Sequence, residues 1–162
     1  MQTKKLTTLA LLTAAAMILS YVESLLPSVG VPGVKLGLAN IAVIFALYRI
    51  GWLSALEVSL VRVFMVTMLF GSMSALLYSL SGAALSLFVM ALLRRGDRFS
   101  SVGVSVAGGV AHNAGQILMA MWLLGTARLA YYYPILVITG VAGGIFTGLT
   151  AALLIKRIPP MK

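Results

Sequence analysis

Six long apolar segments are the feature that most limits what this chain can fold into. They lie at about residues 6–26, 36–50, 52–71, 74–93, 102–124 and 133–155. About 20 apolar residues in a helix cross the hydrocarbon core of a bilayer. Only 9% of the 162 residues are charged, whereas a soluble domain carries about a quarter. The pattern predicts an all-α integral membrane protein, a six-transmembrane-helix bundle forming one domain over residues 1–162, and it excludes a water-soluble enzyme.

The basic residues predict the orientation of this bundle. With a cytoplasmic N-terminus and six crossings, nine of the twelve Lys and Arg residues fall on the inner side, two on the outer side, and Arg62 inside the membrane. Loops with excess Lys and Arg stay in the cytoplasm, so we expect both termini to be cytoplasmic in the cell membrane. The same placement favours membrane orientation over nucleic-acid binding as the origin of the +9 net charge. The first segment is interpreted as a retained helix, with a cleaved signal peptide as the alternative.

Arg62 lies near the middle of the third segment. An Arg at that depth costs about 2.5–3.5 kcal/mol on insertion scales, so its side chain must face the interior of the bundle. Two interpretations stay open. Arg62 forms a structural pair, with Glu57 or with backbone carbonyls, or it binds an anionic group of a ligand.

The fifth segment carries three polar side chains, His112, Asn113 and Gln116. Their spacing of three and four residues places them on one stripe of a helix, and a polar stripe inside a membrane must face polar groups. We therefore predict a binding surface. The alternative is that the three side chains are core residues whose hydrogen bonds are made within the protein. Asn40, just inside the second segment, and Tyr78, near a membrane boundary, are further candidates.

Several chemistries lack their residues in this chain. One His, three acidic residues and no Cys do not make a metal site, so neither a metal nor a cofactor is expected. The P-loop pattern that binds nucleotide phosphates is absent from the sequence, as is the pair of aspartates that would hold Mg²⁺ on a diphosphate. We expect a protein that is not an enzyme and that takes energy for transport from partners.

Three stretches resemble a known family: PGVKLGLANI (residues 32–41), LYSLSG (77–82) and GGVAHNAGQ (108–116). Together they resemble the Gx transporter family, also labelled heptaprenyl diphosphate synthase component I. That family is similar in size and topology to the S components of energy-coupling-factor (ECF) transporters. S components are six-helix membrane proteins that capture a micronutrient from outside. They hand it on with a membrane coupling subunit and two ATPase subunits.

The resemblance implies roles for particular residues. Ala10 and Ala14 would dock the first helix on the coupling subunit, and Lys35 would close the mouth of the pocket. With the candidates above, the predicted substrate-binding set is Lys35, Asn40, Arg62, Tyr78, His112, Asn113 and Gln116.

The expected function is that of the substrate-capturing subunit of an ECF-type importer for a small solute that enters from the outer face. Two alternatives stay open. One is a membrane accessory subunit linked to polyprenyl diphosphate or quinone synthesis. The other is a scaffold of a membrane redox complex, in which the polar stripe satisfies itself.

Overall fold

The computed structural model of the chain describes residues 2–25, 37–96 and 98–158. Within this part of the chain there are six α-helices and no strands, which confirms the predicted all-α fold. The helices are α1 (Gln2–Leu25), α2 (Asn40–Arg49), α3 (Trp52–Phe70), α4 (Met73–Arg95), α5 (Ser101–Leu124) and α6 (Tyr133–Arg157), with a short 3-10 helix (Ala127–Tyr132) before α6.

The helix ends lie within about four residues of the predicted ones, and the largest differences are at the starts of the first and second helices. The second helix was predicted to begin at residue 36, which lies outside the described residues, but α2 begins only at Asn40. Gly37 has a φ of +75°, a left-handed conformation that an α-helix does not contain. A turn over residues 37–39 therefore precedes α2.

Four stretches are long and apolar enough to cross a membrane among the described residues: Thr3–Leu25, Trp52–Phe70, Met73–Arg95 and Ala127–Arg157. The ten residues of α2 rise only about 15 Å, half of the ~30 Å hydrocarbon core. The 24 residues of α5 have the length of a crossing, but the polar stripe at its middle makes the helix less apolar. A multi-pass membrane protein agrees with these helices, and the number of six crossings stays a prediction.

The helices pack as two groups, which are joined by contacts of α2 with α6 and of α3 with α4. The most extensive contacts are those of α5 with α6 and of α4 with α5, while α1 and α2 both pack on α3. Between the groups, α2 lies in contact with α6, and its residues 41–47 are all buried. Ile44 and Leu47 are almost fully buried in a cluster with Ala16 of α1, Val58 of α3 and Met90 of α4. The shortest helix is thus the centre of the bundle.

The periphery of the bundle is apolar. On α1, Leu6, Leu11 and Ile18 are exposed, and on α3 the side chains of Phe64 and Met68 are exposed. In water such faces would promote aggregation, but in a bilayer they face the acyl chains at no cost. This distribution supports placement of the bundle in a membrane.

Glycines allow α5 and α6 to approach each other closely. A Cβ on Gly109 of α5 would lie 2.5 Å from the carbonyl oxygen of Gly140, and a Cβ on Gly144 of α6 would lie 2.5 Å from Cα of Val106. Both contacts are with backbone atoms, which no side-chain rotation relieves. Small residues on both helices let them come into backbone contact in this way.

Two arginines hold together one end of the bundle. Arg49, at the end of α2, donates a hydrogen bond to the carbonyl of Ile155 near the end of α6. Arg94, near the end of α4, donates one to the carbonyl of Tyr48 over 3.2 Å and lies 4.9 Å from the centroid of the Tyr48 ring. The last carbonyls of a helix lack intrahelical donors and carry partial negative charge. The C-terminal ends of α2, α4 and α6 therefore meet at one basic end.

The α5–α6 contact predicts opposite effects for two Gly→Ala substitutions in the same helix. Gly109→Ala should lower the free energy of unfolding by about 1–3 kcal/mol, because the added methyl overlaps a backbone carbonyl. Gly103→Ala should be neutral or raise it by up to about 1 kcal/mol, since a Cβ there would have Ser100 Oγ as its nearest neighbour, at 3.6 Å. Unfolding in detergent measures both, and equal effects would contradict the close approach.

Candidate functional site

A polar cleft lies between the beginning of α2, the middle of α5 and the first half of α6. It encloses about 260 Å³, including the part open to its surroundings. The space left for a molecule is narrow, about that of one water. The lining residues are Gly37, Asn40, Gly109, His112, Asn113, Thr139, Gly140, Gly143, Gly144 and Thr147.

One face of α6 supplies half of this lining. Thr139, Gly143 and Thr147 follow one another at intervals of four residues, which places them in one row along the helix. The hydroxyl of Thr147 donates to the carbonyl of Gly143 at 2.9 Å and shares a 3.0 Å hydrogen bond with the hydroxyl of Ser105 on α5. The glycines in this face leave backbone exposed to the cleft, so the wall combines hydroxyls with peptide groups.

The α5 side is held in place by Asn113. Its Nδ2 donates to the carbonyl of Leu136 on α6 at 2.7 Å, and the hydroxyl of Thr139 donates to the same carbonyl at 3.1 Å. The side chain of Asn113 is therefore buried and fixed. His112, one position earlier, is half-buried and lines the cleft. Its ring also lies close to α4, because its Cε1 would be only 2.9 Å from a Cβ on Gly82.

The turn before α2 borders the cleft at Gly37 and Asn40, and we call this edge its mouth. The carbonyl of Gly37 accepts the backbone N–H of Asn40 at 2.8 Å, and both residues line the cleft. On its other side Gly37 donates its own N–H to a carboxylate oxygen of Glu23 on α1. The position of the mouth thus depends on α1 as well as on α2.

The chemistry of the cleft is that of uncharged hydrogen bonding. Its lining contains amides, hydroxyls, peptide groups and one imidazole, with no Lys, Arg, Asp or Glu among the described residues. Within the same part of the chain, no three His, Asp or Glu side chains come together as metal ligands would. The arrangement suits recognition of a polar, uncharged group by neutral donors and acceptors.

The structure brings three of the predicted binding residues together and separates others from them. Asn40, His112 and Asn113 line the same cleft. Gln116 does not, because its Cγ lies against Gly82 of α4. Tyr78, half-buried on α4, is also absent from the lining. Lys35 lies outside the described residues.

Arg62 lies between α3 and α1, away from the cleft lining. Its Nη1 donates to Ser20 Oγ at 3.4 Å, and Glu23 is the acidic group that acts on it electrostatically. Glu57, the partner considered from the sequence, is exposed on α3. Arg62 thus has a charged neighbour in the bundle, but that neighbour is on another helix.

Ala10 and Ala14, predicted to dock a partner, are both exposed on α1. Within the described residues, α1 buries mainly Ala16 and Glu23. The predicted docking face is therefore not used for packing inside this chain.

Sequence reasoning missed the α6 wall and Glu23. The predicted binding set contained neither the glycines nor the threonines of this wall, which are Gly140, Gly144, Thr139 and Thr147. The available signal was the row of Thr139, Gly143 and Thr147 beside the glycines, since a polar row inside a membrane helix needs polar neighbours. Glu23 carried a weaker signal, being an acidic residue within an apolar segment.

Comparisons with known proteins give one result. The family model described as Heptaprenyl diphosphate synthase component I matches residues 12–154, most of the chain. Neither the curated proteins nor the solved structures give a match.

The geometry of α5 predicts different effects for two of its polar residues. Asn113→Ala should lower the free energy of unfolding by about 0.6–1.7 kcal/mol, the range for a hydrogen bond between membrane helices. Gln116→Ala is the matched control and should have a smaller effect, because the contact described for Gln116 is one of its Cγ with Gly82 of α4. Unfolding in detergent measures both, and a larger loss for Gln116→Ala would contradict this assignment.

Proposed function

Because this chain belongs to the heptaprenyl diphosphate synthase component I family, we propose that it serves as the solute-capturing membrane subunit of a multi-subunit importer of the ECF type. The solute is small and resembles a micronutrient, and it enters the polar cleft from the outer face. Import is driven by ATP that partner subunits hydrolyse. The chain itself is not an enzyme in this proposal.

The observation that carries this proposal is the position of the cleft relative to the basic end. Arg49, Arg94 and the end of α6 meet at one end of the bundle, whereas the cleft has its mouth where α2 begins. The basic end is cytoplasmic by the positive-inside rule. The cleft therefore lies at the other end of α2, about 15 Å from the basic end, and we propose that it opens towards the outside, as a capture subunit requires.

The lining favours an uncharged solute. Transfer of a charged group into a low-dielectric interior is costly unless a counter-charge meets it, and the described lining offers only neutral groups and His112. The narrowness of the cleft favours a flat group, because such a group needs the smallest displacement of the lining. A heteroaromatic or amide-bearing ring has this chemistry.

Partner subunits are proposed from the sequence and from α1. The chain has no P-loop, so a nucleotide must bind elsewhere. The exposed Ala10 and Ala14 offer a surface on which a helix of a membrane coupling subunit can pack closely. Two ATPase subunits would act through that coupling subunit.

The family description favours a second candidate, an accessory subunit of polyprenyl diphosphate or quinone synthesis. Catalysis of prenyl transfer needs acidic residues that hold Mg²⁺ on a diphosphate. Glu23 and Glu57, the two acidic residues within the described part of the chain, lie on different helices with different surroundings. In this role the chain would assist a soluble prenyltransferase. Purification of the tagged chain distinguishes the candidates by recovering either ATPase subunits or a prenyltransferase.

The cleft predicts which substitutions release the solute. Mass spectrometry of gently purified protein should detect one retained small molecule. Asn40→Ala and His112→Ala should each reduce its occupancy about tenfold, because an unpaired polar group costs about 1–3 kcal/mol. Gln116→Ala is the control on the same helix and should leave occupancy unchanged. Full occupancy in both cleft variants would remove the cleft as the binding site.

The exposed face of α1 predicts a defect in assembly without a defect in binding. Ala14→Leu should reduce the amount of coupling subunit that co-purifies about tenfold, since overpacking costs about 1–3 kcal/mol. Solute occupancy should not change. Ala84→Leu, at an exposed alanine of α4, is the matched control and should assemble normally. Equal assembly of both variants would contradict docking through α1.

A further inference from the structure

We propose that Glu23 is a positioning residue for the cleft, and that its carboxylate, kept in place by Arg62, holds the Gly37 turn at the mouth. The inference rests on the proposed function, because it assigns Glu23 an effect on entry and release of the solute. Glu23 does not touch the cleft itself and acts through Gly37.

The first observation is the place of the Glu23 carboxylate. Glu23 is only 8% exposed, near the end of a helix that is otherwise mostly exposed. Its Oε1 accepts the N–H of Gly37 at 2.5 Å. A hydrogen bond to a carboxylate is about twice as strong as one between neutral groups. The α1 helix is therefore hydrogen-bonded to Gly37, the residue where the turn into α2 begins.

The second observation is the source of compensation for this buried charge. Arg62 of α3 is the basic group that interacts electrostatically with Glu23, and its Nη1 also contacts Ser20 on α1. Nε of Arg62 is buried without a hydrogen-bond partner. Arg62 is thus oriented towards α1, but one of its guanidinium nitrogens has no hydrogen bond. A guanidinium held by few hydrogen bonds acts mainly through its charge, as a counter-charge for Glu23 does. The opposite charges of the two side chains thus partly compensate each other inside the bundle.

The third observation connects this pair to the cleft. Gly37 lines the cleft and accepts the N–H of Asn40, another lining residue. A Cβ on Gly37 would lie 3.3 Å from Nδ2 of Asn40, so the two residues are in close contact. Movement of Gly37 therefore moves Asn40.

Because the cleft is small, a solute can enter it only if part of the lining moves. The space left is about that of one water molecule, so a solute enters only when the lining moves apart. The α5 and α6 walls are fixed by backbone contact at Gly109 and Gly140. The turn at Gly37 is held by individual hydrogen bonds instead. Widening of the cleft at this turn loosens or breaks the bond from Gly37 to Glu23.

Two double variants separate this role from a purely structural ion pair. Glu23→Gln with Arg62→Met removes both charges but keeps an acceptor oxygen for Gly37. Glu23→Leu with Arg62→Met also removes both charges, and it removes the acceptor. In both variants the side chains at positions 23 and 62 are uncharged, so neither variant leaves an unpaired charge in the membrane. A structural ion pair would affect them equally, whereas a positioning role affects only the second.

The readout is the hydrogen exchange of the Gly37 amide. Labelling with ¹⁵N-glycine gives one signal for each of the 16 glycines in an NMR spectrum. Removal of the acceptor in the Leu/Met variant should speed exchange at Gly37 about tenfold relative to the Gln/Met variant. The signals of Gly109, Gly115 and Gly140 should keep their protection and report an intact fold. Release of the retained solute should accelerate by about the same factor.

The remaining outcomes are decisive as well. Equal exchange at Gly37 in the two double variants would overturn the proposal. If the Leu/Met variant fails to fold, Glu23→Asp replaces it, because this change keeps the charge for Arg62 but withdraws the carboxylate by one methylene. Faster exchange at Gly37 then supports the proposal, and unchanged exchange overturns it. A wild-type protein that retains no solute would count against the proposed function alone, since exchange at Gly37 needs no ligand.

Discussion

The backbone contact between α5 and α6 is the constraint on which the rest of the structure depends. Because Gly109, Gly140 and Gly144 have no side chains, the two helices touch through peptide groups. Apolar burial drives association weakly in lipid, and close packing with interhelical hydrogen bonds replaces it. The bonds from Asn113 and Ser105 to α6 form beside this contact. The cleft lies beside this contact, and the first turn of α2 borders it at Asn40.

Hydropathy was sufficient to predict the helices, because each apolar segment must satisfy its own backbone in lipid. The ends of α3 to α6 were accordingly close to the structure. The role of α2 was harder to predict. The second apolar segment, at about residues 36–50, was predicted to cross the membrane like the other five. The structure instead buries residues 41–47 at the centre, and burial there depends on neighbours distant in the sequence.

The candidate site was predicted in part for a similar reason. Helical periodicity places His112, Asn113 and Gln116 within about 100° of one another, but α5 packs between two helices. Asn113 bonds to α6, whereas Gln116 lies against Gly82 of α4. Periodicity identifies a polar face without identifying the neighbour it meets. The electrostatic interaction of Arg62 with Glu23 was missed because it joins helices that no local pattern connects.

The distribution of charge explains why an uncharged cleft is possible in so basic a chain. Arg49 and Arg94 bind carbonyls at the ends of other helices, where the helix dipole favours cations. Arg62, deeper in the bundle, has Glu23 as its counter-charge. These cations thus have roles away from the cleft, and its polarity comes from amides, hydroxyls and one imidazole. Neutral polar groups inside a membrane are costly without partners, so the solute we propose is one whose donors and acceptors match those of the lining.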